Sequence, residues 1–150
     1  MSVETYMFSR QTTSAGKYTI IMDNPSDTIK ATSDSATATS DNTEFLASLQ
    51  PDAFDAVIVA GGDFPTHPVP LAVMERARML VACDSAGEEL VRRGYKPTAI
   101  VGDCDSMSAE FRAKHADIIY KVEEQDYNDL TKATRFCTER GCRRIAYVGA

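Results

Sequence analysis

The sequence lacks several features that mark common classes of protein. It has no tryptophan and only two histidines among its 150 residues. No apolar run approaches the roughly 20 residues that a membrane span requires, so we expect no membrane partner. The first ten residues, MSVETYMFSR, lack the charged start and apolar middle of a secretory signal. The formal net charge is -6, without a basic cluster, so we expect no nucleic-acid partner.

Cysteine is also scarce, and its spacing excludes two kinds of site. Four cysteines in a chain of this length do not make a disulfide framework. The last two are separated by four residues, which is not the C-x-x-C spacing of a zinc site. We therefore predict reduced thiols in a cytoplasmic protein at the four positions Cys83, Cys104, Cys137 and Cys142.

The composition changes near residue 50. Residues 31–43, ATSDSATATSDNT, carry only small and polar side chains, which cannot form a packed core. Residues 17–31 contain two short strand-like runs around the turn sequence DNPSD, which is typical of a hairpin. We predict an N-terminal extension over residues 1–50, partly disordered or a hairpin, followed by an α/β domain over residues 51–150.

From residue 54 onward, apolar strand-like runs alternate with helical patterns. Strands are predicted over 54–62, 79–84, 96–103, 116–122 and 143–150, and helices over 69–78, 85–94, 108–114 and 128–141. Ser85 and Glu88 have the spacing of a capping box, Ser108 is a candidate N-cap, and Gly94 and Gly141 are candidate helix stops. Strands that are apolar on both faces predict an open, doubly wound and mainly parallel sheet with helices on both faces.

Each predicted strand-to-helix turn carries aspartate. In open α/β sheets the ligand binds beyond the carboxyl ends of the strands, so these carboxylates are expected at one edge of the sheet. Any single aspartate is better explained as a helix cap than as a ligand. A pair two residues apart is harder to explain in that way and fits Mg²⁺, which takes one or two carboxylates together with phosphate oxygens. The aspartates concerned are Asp63, Asp84, Asp103, Asp105, Asp126 and Asp129.

Three motifs in order resemble those of the thiamine pyrophosphokinase family. They are VACDSAGEEL at 81–90, PTAIVGDCDSMS at 97–108 and EEQDYNDLTKA at 123–133. The family shows Asp-Gly-Gly/Ala-Ala, Gly-Asp-Phe-Asp-Ser and Asp-Gln-Asp-x-Thr-Asp-x-x-Lys at the corresponding places. The resemblance covers residues 54–150, and the succession of all three motifs is specific where one alone would not be.

This resemblance implies a reaction and a set of site residues. The pyrophosphoryl group of ATP would be transferred to the hydroxyl of thiamine, giving thiamine diphosphate and AMP. Asp103, Asp105 and Asp129 match the magnesium-associated acids, and Asp84 and Asp126 are both candidates to orient the thiamine hydroxyl or accept its proton. The positions expected to line ATP and its phosphates are Ser106, Gln125, Asn128 and Lys132.

The chain departs from the family pattern in four respects. Ser85 replaces a glycine, Cys104 an aromatic residue and Asn128 a threonine. The family also continues with a Gly-x-Arg-x-Asp-His stretch and a C-terminal β-sandwich, and it builds the thiamine site between the subunits of a homodimer. The sequence ends at YVGA, before that stretch would begin. We therefore expect binding of ATP and magnesium ahead of turnover by this chain alone.

Three alternatives remain at this stage. The chain could be a non-catalytic nucleotide-binding module, or a pyrophosphokinase for another hydroxymethyl heterocycle such as a pterin. It could also be a structural α/β domain in which the acids are helix caps. His67 and His115 support no further chemistry, because each stands alone without a serine or cysteine nucleophile motif nearby.

Overall fold

The computed structural model describes residues 4–10, 18–22, 50–66 and 68–149. These contain seven strands and four helices. The strands are β1 (Glu4–Arg10), β2 (Tyr18–Met22), β3 (Phe54–Val59), β4 (Ala77–Cys83), β5 (Ala99–Gly102), β6 (Ile119–Lys121) and β7 (Arg144–Val148). The helices are α1 (Pro68–Glu75), α2 (Ala86–Arg92), α3 (Ala109–Lys114) and α4 (Asp129–Glu139).

The seven strands form one sheet in the order β2-β1-β7-β3-β4-β5-β6. All neighbouring pairs are parallel except β1 and β2, which are antiparallel. From β3 the chain runs outward through β4, β5 and β6, then returns to place β7 on the other side of β3. The strand order therefore reverses between β3 and β7, which is the kind of position where open α/β sheets bind ligands.

The two faces of the sheet carry separate apolar cores. Helices α1, α2 and α3 pack on one face through residues such as Val73, Leu90 and Phe111. Helix α4 packs on the other face through Ala133 and Cys137. Because the strands contribute to both cores, they are buried on both sides, as parallel sheets are. The predicted α/β fold, with a mainly parallel sheet and helices on both faces, is confirmed.

The boundary between α1 and β4 differs from the prediction. The helix was expected to reach residue 78, but it ends at Glu75 and β4 already begins at Ala77. Ala77 pairs with Phe54 in the parallel ladder of β3 and β4. Backbone pairing with the neighbouring strand thus overrides the helical pattern of the side chains. Strand β6 is shorter than predicted, with three residues.

Two helix starts behave differently. Ser108 caps α3 as predicted, because its side chain accepts a hydrogen bond from the backbone of Phe111. The capping box predicted at Ser85 is wrong, since Ser85 has helical dihedral angles and its side chain makes no capping bond. Glu88 instead accepts a hydrogen bond from the Ser108 hydroxyl at 3.1 Å, which links α2 to the start of α3.

Part of the N-terminal prediction lies outside the described residues. Strand β2 falls in the first half of the predicted hairpin, and its partner is β1, which the sequence pattern did not reveal. The turn DNPSD, the second half of that hairpin and residues 31–43 are not described, and the boundary at residue 50 stays a prediction. The four cysteines are free and buried. Within the described ranges, no helix is long and apolar enough to cross a membrane.

Candidate active site

Carboxylates from three successive turns meet at the edge of the sheet where β4, β5 and β6 end. Asp84 follows β4, Asp103 and Asp105 follow β5, and Asp129 begins α4 after β6. These three strands are parallel neighbours, so their carboxyl ends lie side by side. The sequence-based placement of these acids at one edge is therefore confirmed.

Asp84 is held in an unusual conformation. Its backbone φ is +47°, a region that non-glycine residues adopt at a cost of about 1–2 kcal/mol. Its Oδ2 accepts a hydrogen bond from the Ser106 hydroxyl. Its Oδ1 is buried and has no hydrogen-bond partner. A buried carboxylate oxygen without a partner is costly, so this atom is a ready acceptor for a ligand group.

In the turn after β5, the buried Cys104 lies between Asp103 and Asp105. Cys104 has φ of +68° and is 2% exposed, and its thiol donates to the Gly102 carbonyl at 3.5 Å. Asp103 Oδ1 accepts a hydrogen bond from the backbone N–H of Asp105 at 3.1 Å. The side chain of Cys104 is thus buried in the core, whereas Asp103 and Asp105 on either side of it are more exposed.

The pKa values indicate which acids act on one another. The pKa of Asp129 is raised, first by burial and then by the negative charges of Asp84 and Asp103, while Lys132 opposes the rise. Burial raises the pKa of Cys83 to about 12, with further contributions from Asp129 and Asp84. Asp84, Asp103 and Asp129 therefore share one region of negative potential.

Asp105 acts on a different neighbour. It contributes to a raised pKa of Lys121, which is due first to the hydrogen bond that Lys121 makes with Glu123 and to the charge of Glu123. Asp105 is exposed, whereas Asp103 is half-buried. The two members of the aspartate pair thus differ in their surroundings, a difference that their spacing in the sequence did not reveal.

Lys132 is the buried cation of this region. Only 5% of its side chain is exposed, and its Nζ lies 3.9 Å from Oδ1 of Asp129. Lysine is rarely buried unless it is paired. The 3.9 Å separation is a loose ion pair, so the ammonium retains hydrogen-bonding capacity for another anion.

The remaining predicted residues are less enclosed. Gln125 and Asp126 are exposed, and Gln125 donates its amide to the Glu123 carbonyl at 3.2 Å. Asn128 is the N-cap of α4, because its Oδ1 accepts from the Thr131 backbone at 2.9 Å. The sequence analysis missed this cap, although asparagine directly before a helical pattern is a usual signal.

A cleft of about 490 Å³ lies beside Ser85 and Ser106. Its walls come from the loop after β3, including Gly61 and Gly62, and from α2. Two adjacent glycines in the sequence are weak evidence for a ligand site by themselves. At the outer end of the cleft, the Arg93 guanidinium lies 4.2 Å from the centre of the Phe64 ring. The cleft thus lies between the loop after β3 and the start of α2, and Ser106 borders it.

The described residues contain no group of three or more histidine, cysteine, aspartate or glutamate side chains arranged to hold a metal ion. Magnesium does not require such a cage, because it binds through one or two carboxylates and keeps water and phosphate oxygens in its shell. The negative charges of Asp84, Asp103 and Asp129, which lie close enough to act on one another, fit a cation of this kind.

Comparison with known families places the chain. Residues 71–150 match the model described as the thiamin pyrophosphokinase catalytic domain. The chain belongs to the thiamine pyrophosphokinase family. The matched residues contain the whole of helix α4 together with Asp84, Asp103, Asp105, Asp126, Asp129 and Lys132. Comparison with curated proteins finds no match.

Solved structures of thiamin pyrophosphokinases resemble the chain in fold. The enzyme from Geobacillus thermodenitrificans is 26% identical, with a TM-score of 0.50, and the family protein from Enterococcus faecalis is 22% identical, with a TM-score of 0.53. A protein from Lactobacillus plantarum is 26% identical with a TM-score of 0.50. The first two matches each cover 63% of this chain and 46% of the other, and the third covers 65% and 47%. The chain thus spans less than half the length of each of these three proteins.

Proposed function

We propose that this chain carries the nucleotide and magnesium half of a thiamine pyrophosphokinase site. The reaction would be the Mg²⁺-dependent transfer of the pyrophosphoryl group of ATP to the hydroxyl of thiamine. The observation that supports it most is the buried, unpartnered Oδ1 of Asp84 within the negative region shared with Asp103 and Asp129. The family match supports the reaction class.

The transfer breaks one bond and forms one. The hydroxyl oxygen of the acceptor bonds to the β-phosphorus of ATP, and the bridging oxygen between the α- and β-phosphates leaves with AMP. The hydroxyl proton passes to a carboxylate and then to solvent. Such a transfer depends on positioning and on neutralisation of charge more than on covalent chemistry. Magnesium would supply that neutralisation at the phosphate oxygens.

The carboxylates divide by their proposed roles. We assign Asp103, Asp105 and Asp129 to magnesium and its water shell. Asp84 is our candidate for the contact with the acceptor hydroxyl, because its Oδ1 is buried and has no partner. Asp126 is exposed in the loop before α4 and is the weaker candidate for that role.

The cation side of the site is Lys132. We propose that its ammonium binds a phosphate oxygen of ATP, because it is buried at the start of α4 and only loosely paired with Asp129. Helix α4 begins there, and its unpaired backbone N–H groups also favour negative charge. Gln125 and Asn128 are proposed as polar neighbours of the nucleotide.

Two further parts of the proposal concern the whole protein. The family resemblance supports a homodimer in which a C-terminal domain contributes to the thiamine site. The four buried thiols support a reducing, cytoplasmic setting. Neither a non-catalytic nucleotide module nor a different heterocyclic acceptor is needed to explain the acids, and both are outcomes of the experiment below.

The test is calorimetric titration with a non-hydrolysable ATP analogue, with and without Mg²⁺. We expect magnesium-dependent binding in the wild type and its loss in Asp103→Ala. Asp117→Ala is the matched control, because Asp117 is exposed and precedes β6, at the opposite edge of the sheet. Equal binding by wild type and Asp103→Ala would contradict the metal assignment.

Thiamine-dependent release of AMP then separates the candidates. AMP release with thiamine supports the kinase, whereas binding without release under any acceptor shows that this chain by itself acts as a nucleotide-binding module. Release with a hydroxymethylpterin but not with thiamine would indicate the other heterocyclic kinase. A folded wild type that binds no nucleotide would contradict the proposed function itself.

A further inference from the structure

The hydroxyl of Ser106 is directed at a carboxylate rather than at open solvent or a phosphate position. It donates to Oδ2 of Asp84, which lies 22 residues earlier in the chain. We propose that Ser106 is a positioning residue for Asp84 and not a phosphate ligand. This inference rests on the proposed function for its role in the reaction, while the contact itself stands independently of it.

The Ser106 hydroxyl has only one proton to donate. A serine hydroxyl has one O–H donor, and the rest of its capacity is for accepting hydrogen bonds. A phosphate oxygen also accepts, so it needs a donor. Because the Ser106 proton is used by Asp84, Ser106 offers a bound phosphate only lone pairs, which repel it. The family resemblance had placed Ser106 among the phosphate-binding positions, and this geometry reassigns it.

The two carboxylate oxygens of Asp84 have different surroundings. A carboxylate has two equivalent oxygens until its surroundings distinguish them. Ser106 holds Oδ2, and Oδ1 is left buried without a partner. The hydrogen bond therefore fixes the carboxylate plane and distinguishes Oδ1 from Oδ2.

The backbone around Asp84 also restricts the position of this carboxylate. Asp84 adopts φ of +47°, and its N–H donates to the Val101 carbonyl at 3.0 Å. Gly102 leaves room for it, since a Cβ at that position would approach the Asp84 Cβ to 3.1 Å. Strained residues of this kind persist where the surrounding structure over-determines them, and they cluster at functional sites. Ser106 supplies the side-chain part of that constraint.

A double-mutant cycle in denaturant tests the contact without reference to any ligand. The variants are Ser106→Ala, Asp84→Ala and the double variant. We expect a coupling of about tenfold in the unfolding equilibrium constant, because a hydrogen bond to a charged group is lost once in the cycle. Ser108→Ala is the matched control: it removes a hydroxyl from the same loop, and its effect should add to that of Asp84→Ala.

Ligand measurements test the assignment of the role. In Ser106→Ala we expect the affinity for the magnesium–ATP analogue to stay within about twofold of wild type. Where AMP release is measurable, kcat should fall roughly 10- to 100-fold with KM for ATP unchanged, because only the presentation of Asp84 is lost. Ser106→Thr keeps the hydroxyl and should restore kcat, which a role confined to packing would not predict.

The outcomes are separable. Coupling in the cycle together with unchanged nucleotide affinity establishes the positioning role. An additive cycle would overturn it, and so would a tenfold loss of nucleotide affinity in Ser106→Ala, because that result makes Ser106 a phosphate ligand. If the wild type binds no nucleotide at all, the proposed function fails, while the cycle still decides whether Ser106 holds Asp84.

Discussion

Gly102 lies so close to Asp84 that a side chain at position 102 would place its Cβ 3.1 Å from the Cβ of Asp84. The Asp84 backbone nitrogen would be 3.4 Å from the same atom. Gly102 ends β5, and Asp84 directly follows the neighbouring parallel strand β4, so neither residue can move far. The last residue of β5 thus limits where the carboxylate after β4 can stand.

Gly102→Ala is therefore expected to damage the site as well as the fold. We expect a loss of about 1–3 kcal/mol in the free energy of unfolding, through overpacking against Asp84, and a weaker affinity for the magnesium–ATP analogue. Gly94→Ala is the matched control. It has φ of +88° with nothing within 4 Å of the added Cβ, so it should cost about 1–2 kcal/mol and leave nucleotide affinity intact. Equal affinities in the two variants would contradict the prediction.

The two aspartates of the β5 turn should differ in their effect on Asp129. The charge of Asp103 contributes to the raised pKa of Asp129, after burial and Asp84. Asp103→Asn is therefore expected to lower the pKa of Asp129, because it removes one negative charge from its surroundings. Asp105→Asn should leave that pKa in place and lower the pKa of Lys121 instead. Carboxyl and amine chemical shifts followed by NMR against pH measure both, and identical responses would refute the distinction.

Lys132→Met tests the buried ammonium. Methionine keeps the length and apolar stem, so we expect folding stability to stay within about 1 kcal/mol, since removal of a buried charge also removes its desolvation cost. Affinity for the magnesium–ATP analogue should fall roughly 10- to 100-fold through loss of a charge-assisted hydrogen bond. Lys121→Met removes an exposed lysine as the control. Unchanged affinity in Lys132→Met would rule out its phosphate contact.

Asp55 fastens the start of β7 to β3. Its Oδ2 accepts from the backbone N–H groups of Arg143 and Arg144 at 2.7 and 3.0 Å. These bonds lower the pKa of Asp55, with the Arg143 backbone bond as the largest cause. A lowered folded pKa means that the stabilisation is present above the ordinary value of 3.8 and is lost as the pH falls through the folded pKa.

We expect Asp55→Ala to cost about 1–2 kcal/mol at neutral pH through loss of these bonds. Asp55→Asn keeps an acceptor and should lose only the pH-dependent part. Urea midpoints measured from pH 7 down to pH 2 would show the wild type and Asp55→Asn converging as the carboxylate is protonated. A constant gap between them at every pH would contradict this account.

The strands and the position of the acids could be predicted because both follow from local patterns. Runs of β-branched residues separated by helical segments predict parallel strands, and parallel strands bring their carboxyl ends together. Asp84, Asp103 and Asp129 are therefore neighbours whatever the details of packing. The same reasoning correctly placed Ser108 as a cap and Gly94 and Gly141, with φ of +88° and +84°, as helix stops.

What could not be predicted depends on contacts between distant residues. The Ser85–Glu88 spacing predicts a capping box, yet Glu88 binds the Ser108 hydroxyl 20 residues away. The contact of Ser106 with Asp84 spans 22 residues and likewise leaves no local signal. Asp84 and Cys104 adopt positive φ without being glycine, so composition gave no warning of these turns. Helix α1 ends earlier than predicted because Ala77 pairs with Phe54, and only the sheet register reveals this pairing.

Helix α4 crosses from the edge strand β6 back to β7, contacting β5, β4 and β3 on the way. Strands β4, β5 and β6 each pair with the strand that precedes them in the chain, so those pairings need only short loop closures. The docking of β7 on β3 closes a loop in which the Asp55 bonds span 88 and 89 residues, and long closures are slow steps in folding.

A chain with only its nearest-neighbour pairings has Asp84 and Asp103 in place but not Asp129 or Lys132. Completion of the ligand site therefore requires the docking of α4 on β5, β4 and β3. A ligand that contacts Asp84 or Asp103 together with Asp129 or Lys132 stabilises the docked position of α4. We expect such a ligand to slow unfolding far more than it speeds folding.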